Sequence, residues 1–244
     1  MDIATLKKLL DTMNSVGITQ AVIEPTEDGD GTLIRASNKD KNILVFDSIE
    51  EKLVDLPMGI QSVPGLLSRI QLFDEEKASI SLDDNGKIVL AATIKQGRKK
   101  ASFRFADPHK RDAVPVPAKI PGDLSLSNCV EMQDDYVKYL SSAIMAMSYT
   151  GNKAERTISF SKGDDENIIL KVSDGEDDAF SDTLENTESV DLGSAAMWEV
   201  VPFERLLKAS RDTNKDKVAK FGINDYHIAI FDLGIVKTLV SPLH

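Results

Sequence analysis

The residues best spaced for chemistry lie between Asp174 and Glu185. Asp174, Glu176, Asp178, Asp182 and Glu185 fall at places 1, 3, 5, 9 and 12 of a twelve-residue stretch, a spacing with which carboxylates wrap calcium. Two features oppose that chemistry: Ala179 stands where the sharp turn needs glycine, and the flanks alternate like strands rather than helices. The segment reads as a solvated acidic loop, with a metal-dependent enzyme using these acids as the remote alternative. Other reactive groups are few. His109, His227 and His244 share no helical turn, and His227 lies within the alternating run Tyr226, Ile228, Ile230, as a strand-face histidine does. The one cysteine, Cys129, excludes an intramolecular disulfide and a cysteine-based metal site, reads as a small core residue, and fits a reducing cytoplasm. The fingerprints of phosphate loops, dinucleotide folds, Gly-x-Ser-x-Gly hydrolases and His-Glu-x-x-His metalloproteases are absent from the sequence. The expectation is a protein with no cofactor and no metal that is not an enzyme.

Charge is the second signal. The 244 residues carry 29 Lys and Arg against 40 Asp and Glu, a net charge of −11. Residues 164–191 hold eleven acids and only Lys171 as a base, so that segment alone is −10 and the rest of the chain is nearly neutral. Residues 202–220 are the opposite, with Arg205, Lys208, Arg211, Lys215, Lys217 and Lys220 against three acids. Because a field is set by local faces, the overall acidity does not forbid contact with nucleic acid. A composition of 41% hydrophobic and 28% charged residues is that of a globular chain. No apolar run approaches the roughly 20 residues of a membrane span, and the N-terminus reads as an amphipathic helix rather than a secretion signal.

The elements that must position these residues follow from periodicity. Ile3, Leu6, Leu10, Met13 and Val16 recur at steps of three and four, predicting a helix over 2–16 closed by Gly17. Strands are predicted over 19–24, 31–37 and 42–49, then a helix over 65–72 opened by Pro64, then strands over 77–82, 87–94 and 100–106. Residues 107–123 hold four prolines in seventeen positions, an extended and semi-rigid connector. Beyond it come a strand at 124–132, a helix at 133–148, and strands at 156–162, 167–173, 179–183 and 195–201, with Trp198 expected in a core. A helix opened by Pro202 and strands at 217–222, 226–231 and 235–240 finish the chain.

The halves overlay. Pro64 with its helix and three strands matches Pro202 with its helix and three strands at an offset near 139, and Asp83-Asp84-Asn85-Gly86 has its counterpart in Gly222-Ile223-Asn224-Asp225. A repeat whose boundary coincides with an independent connector predicts two similar α+β domains, 1–112 and 124–244, joined by 113–123.

This order, in an acidic chain of this length, resembles the DNA polymerase sliding clamps, similar to proliferating cell nuclear antigen and to the phage-type clamps in particular. The stretch from Gly65 through Asp83-Asp84-Asn85-Gly86 to Phe105-Ala106-Asp107-Pro108 carries the resemblance, with the ending Leu239-Val240-Ser241-Pro242-Leu243. The resemblance implies a fold of two sliding-clamp-like domains, each with two helices on antiparallel sheet. It implies rings of six domains, hence a homotrimer, encircling double-stranded DNA without sequence preference in the host bacterial cytoplasm. It implies a polymerase and other replication proteins as partners, and no membrane.

The resemblance also assigns roles. A weakly basic inner lining would come from Arg205, Lys208, Arg211 and Lys215, with Lys7, Lys8, Arg69 and Lys138. The first and third helices are otherwise poor in bases, a departure from the family. A hydrophobic partner tail would bind Ile43 and Val45, the connector residues Val114 and Val116, and Val240, Pro242 and Leu243; the alternative is that these segments seal a domain junction. A clamp-fold DNA-binding regulator of replication or late transcription that forms no ring is the alternative function.

Overall fold

Asp2 begins the first helix by accepting a hydrogen bond from the Thr5 amide at 2.8 Å, the usual way a carboxylate satisfies a free first-turn N–H. The helix, α1 (Ile3–Ser15), buries Ile3, Leu6, Leu9, Leu10 and Met13 on one stripe, and Gly17 follows at φ 82° to let the chain turn away. The computed structural model describes residues 2–110, 112–122, 124, 126, 129–147, 156–163, 167–174, 179–184 and 195–243. The chain forms two compact units, Met1–Ile120 and Pro121–His244.

In the first unit α1 is followed by β1 (Gln20–Pro25), β2 (Thr32–Ser37), β3 (Ile43–Ile49) and β4 (Met58–Ile60), then α2 (Val63–Ile70), β5 (Ser79–Asp84), β6 (Val89–Gln96) and β7 (Lys99–Arg104). One antiparallel sheet runs β4-β1-β2-β3 and the other β5-β6-β7. The apolar stripes of α1 and α2 pack together, with Val63, Leu66, Leu67 and Ile70 buried on α2.

The second unit begins with β8 (Cys129–Met132) and then repeats the plan: α3 (Asp134–Met147), β9 (Thr157–Lys162), β10 (Ile168–Ser173), β11 (Ala179–Leu184), β12 (Ala196–Glu199), α4 (Val200–Thr213), β13 (Ala219–Ile223), β14 (Ala229–Asp232) and β15 (Lys237–Val240). Its sheets run β12-β9-β10-β11 and β15-β14-β13-β8. Corresponding elements start 131 to 140 residues apart. The two units differ in their cores: Trp198, Phe160, Phe203, Phe221 and Phe231 cluster in the second, with ring centroids 5.2–5.8 Å apart. The Trp198 indole N–H donates to the His227 carbonyl at 2.9 Å, so the polar ring atom of this aromatic cluster is satisfied.

The repeat extends to how each unit finishes. After β7 the Ala106 amide donates to Gly59 O on β4 at 2.8 Å, and after β15 the Leu243 amide donates to Met197 O on β12, also at 2.8 Å. In both units the outgoing chain thus covers the edge of the short fourth strand, leaving less backbone open to stray pairing.

Three expectations change. His227 is not on a strand face: it sits in the turn before β14 at φ 59°, because the Asn224 side chain accepts from the Tyr226 and Ile228 amides and delays the strand. Of the strand expected over 124–132, Cys129–Met132 is strand and Leu124 and Leu126 are not, while 125, 127 and 128 lie outside the described residues. And β4, which no alternation announced, exists because Met58–Ile60 pairs with Ala21–Ile23.

Candidate functional site

Each unit presents a pair of helices, and the expected DNA-contacting bases sit on or beside them. On α1, Lys7 holds Glu75 at 2.5 Å, and that hydrogen bond raises the pKa of Lys7, while Lys8 is exposed. On α2, Arg69 donates to Gly65 O at 2.6 Å and lies 5.3 Å from the Phe103 ring centre, a cation over an aromatic face. On α3, Lys138 pairs with Asp134 at 2.6 Å, and this bond holds the Asp134 carboxyl below the usual carboxylate range.

The bases around α4 are not equivalent. Arg205 is exposed. Lys208 pairs with Glu204 at 2.5 Å. Arg211 is only 17% exposed and is held between Asp212 at 2.9 Å and Asp134 of α3 at 3.5 Å, so it ties the two helices together. Lys215 lies beyond Asn214, the residue that caps α4, so the helical spacing linking it to Arg205, Lys208 and Arg211 does not apply. A polar groove of about 520 Å³ at this end of α4 takes in Lys215, Lys220 and Asp232. Lys217 and Lys220 are turned toward Asp212 and Glu131. The basic stretch read from sequence is therefore largely neutralised by its own neighbours.

The expected partner residues divide by burial. Ile43 and Val45 are 1% and 0% exposed, and Val114 is 2% exposed against Gly59. They are core. Between Ile43 and Val45 the strand turns Leu44 the other way, into a groove of about 440 Å³ that Val116 also lines, with Ser37, Lys41, Pro115 and Pro117. The groove is shaped by the turn between β2 and β3, where Asn38 accepts from the Asn42 and Ile43 amides and Lys41 takes φ 58°. The Pro115 carbonyl accepts from the Ser37 hydroxyl at 3.0 Å, fixing the proline-rich stretch over the sheet. Strand parity was the missing signal for Leu44. In the second unit Val240 is buried, Pro242 half-buried, and Leu243 is 40% exposed beside Met197 at 43%.

The acidic candidates are only partly within view. Asp174 is buried, and Asp182 accepts from the Tyr136 hydroxyl at 3.1 Å; burial, with that bond, pushes the Tyr136 pKa up. Glu176, Asp178 and Glu185 lie outside the described residues, as does His244. Among the described residues no three His, Cys, Asp or Glu side chains come together as a metal site, and no helix is long and apolar enough to cross a membrane.

No family model matches the sequence, and no curated protein does. Solved structures do. The chain is similar to the DNA polymerase III β subunit of Borrelia burgdorferi in complex with a natural product, at TM-score 0.68 and 12% identity. It is similar to the DnaN sliding clamp of Bartonella birtlesii bound to griselimycin (TM-score 0.65, 14% identity) and to pol III β of Caulobacter crescentus (0.62, 15%). Each alignment covers 100% of this chain but only 64–65% of the other. The mixed α+β architecture of this chain is the sliding-clamp fold.

Proposed function

We propose that this chain is a sliding clamp for DNA replication. Three copies close head to tail around duplex DNA and hold a polymerase and other replication proteins to it, without catalysing a reaction. The observation that carries this reading is the repeat. Two units share one order of elements, and the length by which the similar clamps exceed this chain is about one further repeat of the size that recurs here. A ring of six such units needs three copies of a two-unit chain, and a heterologous contact that closes gives a defined ring rather than a filament.

On this reading the working domains are 1–112 and 124–244, with 113–123 between them. A topological link removes the need for tight binding, which accords with a lining in which acids answer Lys7, Lys138, Lys208 and Arg211. Arg205, Lys208 and Lys215, with Lys7, Lys8, Arg69 and Lys138, give weak, sequence-independent contact with phosphates. Partner tails dock at the first unit's groove, on Leu44 and Val116. A phage-type clamp of this kind works in the cytoplasm of its bacterial host.

The pairing of Lys208 and Arg211 with acids favours one second reading, a clamp-fold DNA-binding regulator that does not close. Light scattering at micromolar protein separates the two. The ring reading expects about three times the 26.8 kDa chain mass. A monomer at every concentration and salt would overturn it in favour of the regulator.

A further inference from the structure

Alternation along β5, β6 and β7 gives their sheet two unlike faces. Ile80, Leu82, Ala92, Ile94 and Phe103 share one, where Ala92 and Ile94 are buried and Arg69 of α2 lies against the Phe103 ring. That face belongs to the helix. The register sets out the opposite face as three rows across the strands: Ser79, Lys95 and Lys100, then Ser81, Thr93 and Ser102, then Asp83, Ala91 and Arg104. Thr93 and Ala91 are half-buried and the others are exposed.

The charge of this opposite face is positive and unanswered. Lys95, Lys100 and Arg104 make no ion pair among the described residues, whereas acids hold Lys7, Lys138, Lys208 and Arg211. Arg98 and Lys99 add to the charge at the turn, and residues 95–104 contain no acid. Asp83 is the acid of the three rows, set apart from Arg104 by the width of β6. Between the bases runs a row of hydroxyls. The Ser81 hydroxyl donates to the Thr93 carbonyl at 3.4 Å, and the Thr93 and Ser102 hydroxyls lie 3.3 Å apart with one donating to the other. One proton of that pair is left to give to a ligand.

Successive rows stand about 6.8 Å apart along the strands, so the outer rows of bases are about 14 Å apart with the hydroxyls midway. Bases and hydroxyls are the side chains that hold phosphate oxygens without reading sequence. A protein partner would want an apolar or aromatic centre to its contact, and Ala91 is all that these rows offer. A duplex, stiff over about 150 base pairs, meets a flat face along few phosphates, while a single strand can lie along it.

We propose that this sheet face binds the phosphate backbone of single-stranded nucleic acid through Lys95, Lys100 and Arg104, with the Thr93 and Ser102 hydroxyls between them. The site goes beyond the clamp reading, whose duplex contacts lie on the helices, and it needs no closed ring.

The test combines Lys95→Gln, Lys100→Gln and Arg104→Gln, which keep the length of the side chains and remove their charge. The probe is a short circular single-stranded DNA, which has no end to thread through a ring. Its affinity for the full chain is measured by fluorescence anisotropy over a range of salt, with thermal melting and molar mass compared between variant and wild type. Affinity at low salt is expected to fall by at least about tenfold, and the slope of log affinity against log salt to become shallower by about 2, at about 0.7 per phosphate. Lys95→Gln alone, on the central strand and away from the sheet edge, is expected to lower the slope by about 0.7, which decides the matter if the triple change alters folding or assembly. An unchanged slope in a folded variant overturns the proposal, as does a wild type that leaves the circle unbound. Tighter binding of a closed circular duplex, or equal binding of an acidic peptide of the same charge, also overturns it. A monomeric wild type that binds the circle through these three residues keeps this face and overturns the ring.

Discussion

Asn85 and Asn224, 139 positions apart, brace the turns between corresponding strand pairs in two different units. The Asn85 side chain accepts from the Lys87 and Ile88 amides between β5 and β6, and the Asn224 side chain accepts from the Tyr226 and Ile228 amides between β13 and β14. The second turn is one residue longer, the Asn224 backbone amide donating to the Ile228 carbonyl four residues on where Asn85 donates to that of Ile88 three on, and the Asn224 side-chain amide also donates to the Pro121 carbonyl at 3.1 Å. An aspartate keeps the accepting oxygen and loses the donor. Asn224→Asp is therefore expected to cost about 1–3 kcal/mol, because it sets a carboxylate against a carbonyl. Asn85→Asp is expected to stay within about 0.5 kcal/mol. Urea midpoints at constant slope decide between them.

Strand parity on β3 separates folding from binding. Ile43→Ala empties core and is expected to cost about 2–5 kcal/mol. Leu44→Glu with Val116→Glu is expected to leave the melting temperature within a few degrees and abolish binding of a polymerase tail peptide, since groove residues contribute more to binding than to folding. Calorimetry and peptide titration on the same variants test both halves. Peptide binding that survives the double change would place the docking site elsewhere.

The basic residues around α4 should divide by exposure, Arg211 being mostly covered and Arg205 and Lys215 exposed. Arg211→Ala, which removes the link to Asp134 and Asp212, is expected to lower stability by up to about 1 kcal/mol, since the ion pairs are only partly shielded from solvent. Arg205→Glu with Lys215→Glu is expected to leave stability unchanged and weaken DNA retention, lowering the slope of log affinity against log salt by about 2. Salt-titrated DNA binding and thermal melting read the two effects apart.

Hydrogen bonding from Thr5 holds the Asp2 carboxyl below the usual carboxylate value of 3.8. Its ionised form therefore stabilises the fold above about pH 4, and that contribution is lost as pH falls through the lowered native value. Asn caps a helix as well as Asp but does not titrate. Asp2→Asn is expected to make the loss of stability below pH 4 shallower while leaving stability at pH 7 within about 0.5 kcal/mol. Acid titrations of the melting temperature measure it.

The helices and most strands were legible because their apolar periods are long: α1 shows its stripe along its length, and the alternation of β2, β3, β6 and β10 survives in the burial of their side chains. What stayed hidden was tertiary. Three residues at Met58–Ile60 are too few to alternate, so β4 is created by its partner β1. The side of β3 that faces the groove depends on which side meets the core, and a one-residue choice exchanges Leu44 for Ile43 and Val45. Charge runs show where bases are but not which acids answer them, as Lys208 and Arg211 illustrate.

Topology is the most direct test of the central claim. The protein is threaded onto linear DNA with free ends, the ends are then blocked with bulky protein caps, and the complex is washed at high salt. A ring is expected to stay on the capped DNA through the wash and to leave when a restriction enzyme cuts one end open. Release by salt at the same rate whether the ends are capped, free or cut would contradict encirclement and make this an ordinary electrostatic DNA binder.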